Sequence, residues 1–207
     1  MAERSTTNTE AHGEHTNAKG SESGQPSLLT SLQAPARLGT PFLGKVIEIC
    51  IVTPDADRTM DGLLALGIGP FKVFSFTPET VANQTWRGQP SAFSLKVCFA
   101  TQGELTWELM QPVAGPSIMA NFLAQKGEGV HHVAFDCDGA SVVDRVRSFE
   151  ARGFPCIQSG CWKGANGTCE FRFFDTDGAI GSCFETYDFS SDWEEPEDAE
   201  VYPPVSP

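Results

Sequence analysis

Four residues with donor side chains sit inside apolar runs, where a globular protein seldom leaves a charge. They are Glu48 in Val46-Ile47-Glu48-Ile49, Glu108 in Thr106-Trp107-Glu108-Leu109, His132 in Val130-His131-His132-Val133 and Glu185 in Cys183-Phe184-Glu185-Thr186. A single carboxylate on a strand commonly just faces solvent, because a buried charge is costly unless it is paired or bound to a metal. What sets these four apart is that they fall at equivalent places of an internal repeat, which makes four coincident solvent-facing residues a poor explanation.

The repeat is visible in the elements that must carry them. Lys45 to Val52 is a strand-like run ended by Pro54-Asp55. A helix follows, with Asp55 or Asp57 as cap, Met60, Leu63, Leu64 and Leu66 at helical spacing and Gly67 as stop. Strands are expected at Phe71 to Phe76, Phe93 to Ala100 and Leu105 to Met110, the last two joined across Thr101 to Glu104. The second half repeats this order: a strand from Val130 to Cys137, a helix from about Ala140 to Arg152 stopped by Gly153, then strands at Phe154 to Gln158, Thr168 to Phe174 and Ile180 to Tyr187, with Asp175 to Gly178 as a turn. Glu48 and His132 then lie in the opening strands, and Glu108 and Glu185 in the closing ones. The fold class that results is α+β, with two tandem βαβββ modules (43–112 and 128–188) forming curved sheets around a shared cleft.

The flanks differ from this middle. Residues 1 to 40 are polar and aperiodic and read as a disordered tail; the domain is expected over 41–188; residues 189–207 read as an acidic, solvated tail that Trp193 and Tyr202 could pin to the surface. Of the net charge of −13, the stretch 188–207 contributes seven acids and no base. No cluster of Lys and Arg marks a nucleic-acid or anionic-membrane binder, and no apolar run is long enough to span a bilayer. The N-terminus has no apolar signal segment, and the seven cysteines, odd in number and without a C-x-x-C pair, suit a reducing cytoplasm.

Trp107-Glu108-Leu109-Met110-Gln111-Pro112, followed by Gly127-Glu128-Gly129-Val130-His131-His132-Val133-Ala134-Phe135, resembles the vicinal oxygen chelate superfamily of glyoxalases, methylmalonyl-CoA epimerases, extradiol dioxygenases and bleomycin-resistance proteins. The resemblance is closest to glyoxalase-like and epimerase-like members, and Leu66 to Phe71 is similar to the end of the first module in glyoxalase-like relatives. It implies one divalent metal ion (Mg, Mn, Co, Zn or Ca) in the cleft, held by Glu48, Glu108, His132 and Glu185. Glu48 departs from the His or Gln common at its position, so an acid/base or substrate-contact role stands beside the ligand role. Oxygen-rich donors favour the harder ions.

His131 and His132 point to opposite faces if the strand is regular, and His12 and His15 lie in the tail, so the two-histidine iron site of ring-cleaving dioxygenases is not expected. The resemblance places Lys96 where epimerases carry their base, and Lys96 and Glu48 are the candidates for catalysis. Trp107, Arg172 and Phe93 are candidates for substrate contact, with Trp86, Trp162 and Phe173 as further aromatics and residues 162–167 as a flexible lip. The implied activity is that of an isomerase, epimerase or lyase acting on a small carbonyl compound through a metal-stabilised enolate, with natural-product biosynthesis as one setting. A metal-free binding or resistance protein is the alternative. The cleft could be complete in one chain or shared in a homodimer.

Overall fold

The computed structural model describes residues 38–204, so nearly all of the expected N-terminal tail lies outside the described residues. The first half runs β1 (Val46–Val52), α1 (Ala56–Ala65), β2 (Phe71–Phe76), β3 (Val81–Trp86), β4 (Gln89–Pro90), β5 (Ser94–Gln102) and β6 (Leu105–Ala114). Helix α2 (Ile118–Lys126) leads into β7 (Gly129–Phe135), α3 (Val142–Glu150), β8 (Cys156–Lys163), β9 (Thr168–Phe174), the single turn α4 (Asp177–Ile180) and β10 (Cys183–Phe189), and a short β11 (Glu200–Tyr202) closes the chain. The strands form one mixed sheet in the order β11-β2-β5-β6-β1-β7-β10-β9-β8-β3-β4. The α+β reading holds: the run β1-β6-β5-β2 of the first half is matched by β7-β10-β9-β8 of the second, and the halves meet where β1 runs antiparallel to β7.

Alternation along the strands sorts residues between two faces. On the outer face Met60 and Leu63 of α1 pack with Ile68, Phe71, Cys98, Ala100 and Leu109. Asp55 starts that helix by accepting a hydrogen bond from the Arg58 backbone N–H at 3.1 Å. On the outer face of the second half Phe149 of α3 stacks on Phe174 at 3.8 Å between ring centroids. With α1 and α3 on the outside, the inner face curls on itself. Phe74 and Phe76 of β2 reach Trp162 of β8 with centroids 5.0 and 4.9 Å away. Full burial of such side chains contributes about 1.5–3 kcal/mol each, so these contacts strongly favour the curl.

Three features depart from the sequence reading. The stretch between Phe76 and Phe93 is a β-hairpin, with Arg87 and Gly88 at positive φ in its turn, and β3 leaves the first half to pair with β8 of the second. Asp175 to Gly178 is not a tight turn but leads into the helical turn α4, and β9 and β10 pair antiparallel across this longer connection. Residues 190–202 are not a solvated tail: β11 pairs with β2, the Tyr202 hydroxyl donates to Asp61 at 2.6 Å, and Lys72 pairs with Glu195 at 2.6 Å. This segment crosses from the second half to the first as a strap. The Gly-rich stretch 164–167 is tied to it, since Ala165 N–H donates to Glu194 O and Glu194 N–H to Asn166 O, both at 2.9 Å. Among the described residues no helix is long and apolar enough to cross a membrane.

Candidate metal centre and its cavity

The four central strands carry the donor residues on two neighbouring rungs. Glu108, Cys50, His132 and Cys183 lie side by side across β6, β1, β7 and β10, and Thr106, Glu48, Ala134 and Glu185 form the next rung two residues along. All face inward. Small side chains at Cys50 and Ala134 separate the long donors, which leaves room for the carboxylates to converge. One donor atom from each of Glu48, Glu108, His132 and Glu185 lies within 4.8 Å of all the others, and all four residues are buried.

The seam holds two β-bulges that the sequence did not reveal. Ile47 is the extra residue on β1, between Val46↔Phe135 and Glu48↔Ala134; His131 is the extra residue on β7, between Cys50↔His132 and Ile51↔Val130. These residues are equivalent in the repeat, and each directly precedes a donor, so the bulges re-aim Glu48 and His132. The bulge also overturns the expectation that the two histidines point apart. His131 is buried beside Phe122, and its Nδ1 lies 2.8 Å from His132 Nδ1. An ion held at His132 Nε2 requires the proton on Nδ1, where it donates to His131. We therefore expect His131→Ala to weaken divalent-ion affinity by about tenfold, at the low end for an outer partner, because Phe173 also holds the His132 ring. Calorimetric titration of the variant checks this.

Electrostatically the cluster is crowded. Burial first, then the charges of Glu108 and Glu185, push Glu48 well above the usual carboxylate range, and Glu185 is raised chiefly by burial. Burial works against the His132 cation, but Glu185 and Glu108 outweigh it and raise the imidazole to about 9. His132 Nε2 lies 3.0 Å from both Glu108 Oε2 and Glu185 Oε2, yet its single hydrogen serves Glu108, and Glu185 Oε2 has no hydrogen-bond partner among the described residues. A buried, orphaned carboxylate oxygen facing three other donors suits a cation, so the residues present fit a divalent ion. Cys50 could replace Glu48 and Glu185 in a smaller set with Glu108 and His132, but burial raises its thiol well above the ordinary value, away from the thiolate that metals take.

Glu48, Glu108 and Glu185 of the cluster form the floor of a cavity of about 430 Å³, with His132 buried behind them; it is walled by Phe74, Phe76, Phe99, Trp162, Phe171 and Tyr187 and bounded by Trp193 and Glu195 of the strap. All of its walls come from one chain. Other proposed site residues are elsewhere. Lys96 lies on the face toward α1, paired with Asp57 at 2.7 Å; burial alone would lower its pKa, but Asp57 raises it, the opposite of what a proton-abstracting amine needs. Lys96→Met should therefore leave ion affinity unchanged and cost at most about 1 kcal/mol of stability, read from its denaturation midpoint. Trp107 is out of phase with Glu108 and packs toward α1, its Nε1 donating to Gln102 at 3.1 Å. Arg172 is out of phase with Phe171 and Phe173 and pairs with Glu170 at 3.0 Å. Phe93 is buried in the core, bracketed by Gln84, and does not line the cavity. Trp162 does line it, together with Phe74, Phe76 and Phe99, which the sequence reading used only as strand formers.

The sequence profile of the Glyoxalase/Bleomycin resistance protein/Dioxygenase superfamily matches residues 48–173. The chain belongs to this superfamily. A curated relative, the uncharacterized protein YqjC of Bacillus subtilis (strain 168), is 32% identical over 73 residues, which is 35% of this chain and 51% of the relative, so the match spans about half of that protein. The crystal structure of methylmalonyl-CoA epimerase from Mycobacterium tuberculosis superposes with a TM-score of 0.51 at 16% identity, covering 78% of this chain and 93% of that one. A methylmalonyl-CoA epimerase in complex with methylmalonyl-CoA and NH4+ gives 0.49 at 22% identity, with coverages of 74% and 99%. At these identities the likeness is one of fold.

Proposed function

We propose that this superfamily member is a metal-dependent isomerase, epimerase or lyase acting on a small carbonyl compound. The observation that carries the reading is the buried convergence of Glu48, Glu108, His132 and Glu185, the three carboxylates at the floor of a cavity, with Glu185 Oε2 left without a hydrogen bond among the described residues. A divalent ion held there, of the Mg, Mn, Co, Zn or Ca class, would supply Lewis-acid stabilisation of negative charge developing on a carbonyl oxygen. Glu108, His132 and Glu185 are its ligands in this reading, and His131 fixes the tautomer of His132. Glu48 lines the cavity and has a carboxyl raised toward neutrality, so it is the group suited to take and return a proton beside the carbonyl. The low-dielectric aromatic walls exclude water from that transfer.

Optically pure benzoin, an uncharged α-hydroxy ketone, is a suitable test compound. In D2O the metal-restored protein should incorporate deuterium at the hydroxyl-bearing carbon next to the carbonyl, and Glu48→Gln should slow this by at least about 100-fold, within the range for loss of a general base. Equal exchange by chelator-stripped and metal-restored protein would contradict a role for the ion. The rival reading is a metal-free binding protein, in which Glu48 and Glu185 share a proton and His132 pairs with Glu108. The two readings differ in metal content.

A further inference from the structure

We propose that the cavity takes an uncharged, ring-bearing apolar molecule, lying against a wall that the C-terminal strap completes with Trp193, and that it rejects anionic coenzyme A thioesters. Its orientation, oxygens toward Glu48 and Glu185 and rings toward the mouth, rests on the function proposed above; its apolar character does not.

Three independent observations support this. First, the upper cavity is aromatic, and the rings come from strands far apart in the sheet. Trp162 of β8 touches Phe99 of β5 with centroids 6.0 Å apart and Trp193 of the strap at 5.0 Å, and Phe189 meets Trp193 at 5.0 Å. Such a wall favours flat, apolar ligands through area burial and edge or offset ring contacts. Second, the cavity has almost no capacity for an anion. Three carboxylates occupy its floor, and Lys72, the one Lys or Arg in its lining among the described residues, is held by Glu195 at 2.6 Å. Third, the strap that bounds the cavity through Trp193 and Glu195 belongs to an acidic segment: residues 188–200 carry seven acids and no base, two of them, Asp188 and Glu195, paired with Arg145 and Lys72. A coenzyme A ester would bring three phosphate groups past this segment, with no cationic residue in the lining free to receive them.

Trp193 is in this account a specificity-determining residue. Its place is built by the fold: Gly164 and Gly167 lie so close to residues 190–194 that a Cβ at either would collide with the strap or Trp193 itself. The strap's path is thereby fixed against β8 and β9.

The test uses the full chain, 3-hydroxyflavone as the uncharged aromatic probe, read by its own emission, and methylmalonyl-CoA as the anionic competitor. Metal content is assayed on the same samples. We expect saturable flavone binding that methylmalonyl-CoA does not displace, a loss of at least about tenfold for Trp193→Ala and retention within about threefold for Trp193→Phe, as loss and replacement of one ring contact imply. The phenylalanine variant guards against a strap that simply detaches. Displacement by methylmalonyl-CoA, absence of flavone binding, or unchanged binding in Trp193→Ala would overturn the proposal. Flavone binding to protein shown to hold no metal would support it while sinking the metal-dependent function. Bound metal with the flavone rejected would sink the proposal alone.

Discussion

His132→Ala and Glu185→Ala should each lower divalent-ion affinity by at least about 100-fold. Four-ligand structural sites bind with about 10–16 kcal/mol, so one ligand accounts for about 3 kcal/mol, and the loss in a buried site cannot be made good by bulk water. The two residues lie on neighbouring rungs of β7 and β10, on opposite sides of the Ala134 gap, so neither can be replaced by a small shift of the other. Calorimetric titration of each purified variant, beside His131→Ala with its expected tenfold loss, gives the comparison. A site that His131→Ala empties and His132→Ala leaves full would invert the assignment of ligand and outer partner.

The second large effect is on pH dependence. The folded, ion-free cluster raises His132 to about 9, so its imidazole carries a proton at neutral pH, and it raises Glu48 well above the usual carboxylate range through burial and the charges of Glu108 and Glu185. An ion can take His132 Nε2 only by displacing a proton, and the Glu48 carboxyl loses its own as positive charge arrives. Binding therefore releases protons, and apparent affinity rises with pH until the His132 value of about 9 is passed. We expect about a 10- to 100-fold gain per pH unit between about pH 6 and 8, flattening above about 9, for release of one to two protons. Titrations in buffers of different ionisation enthalpy count the protons directly. A pH-independent affinity across this range would show that the cluster is already deprotonated.

The donor set was legible because it obeys two patterns at once. Each of Glu48, Glu108, His132 and Glu185 interrupts an apolar run, and the strand-helix-strand repeat superposes them, so no contact information was needed to bring them together. The proposed substrate contacts lacked such a double constraint. Trp107 could have been set aside from the sequence, since a residue adjacent to Glu108 on a regular strand faces the other way. Lys96 and Arg172 required more: their faces follow from register, with Phe99 opposite Glu108 and Phe173 opposite Glu185. Pairing register is set by bulges and turns that single-strand patterns do not encode.

The His131 bulge belongs to the same class of hidden feature. Nothing in Val130-His131-His132-Val133 shows that alternation fails there, and only the pairing with β1 shows that His131 is inserted. The hairpin of β3 and β4 was more accessible, because Arg87-Gly88 lies between Trp86 and Gln89 in a stretch otherwise too long for a plain loop. Residues 190–202 were read by composition as solvated, and their acids do remain outside. Trp193 and Tyr202, named in the sequence as residues that could pin the segment, do anchor it, and the strand pairing of β11 with β2 is what composition did not show.

The central claim is that the buried cluster holds a divalent ion on Glu108, His132 and Glu185, with Glu48 beside it. Elemental analysis of intact protein, purified without chelator and reconstituted with each of Mg, Mn, Co, Zn and Ca, tests it most directly. The account predicts close to one tightly held ion per chain for at least one of these metals, lost in His132→Ala and Glu185→Ala. Wild-type protein that retains no stoichiometric ion with any of them, or variants that retain as much as wild type, would contradict it.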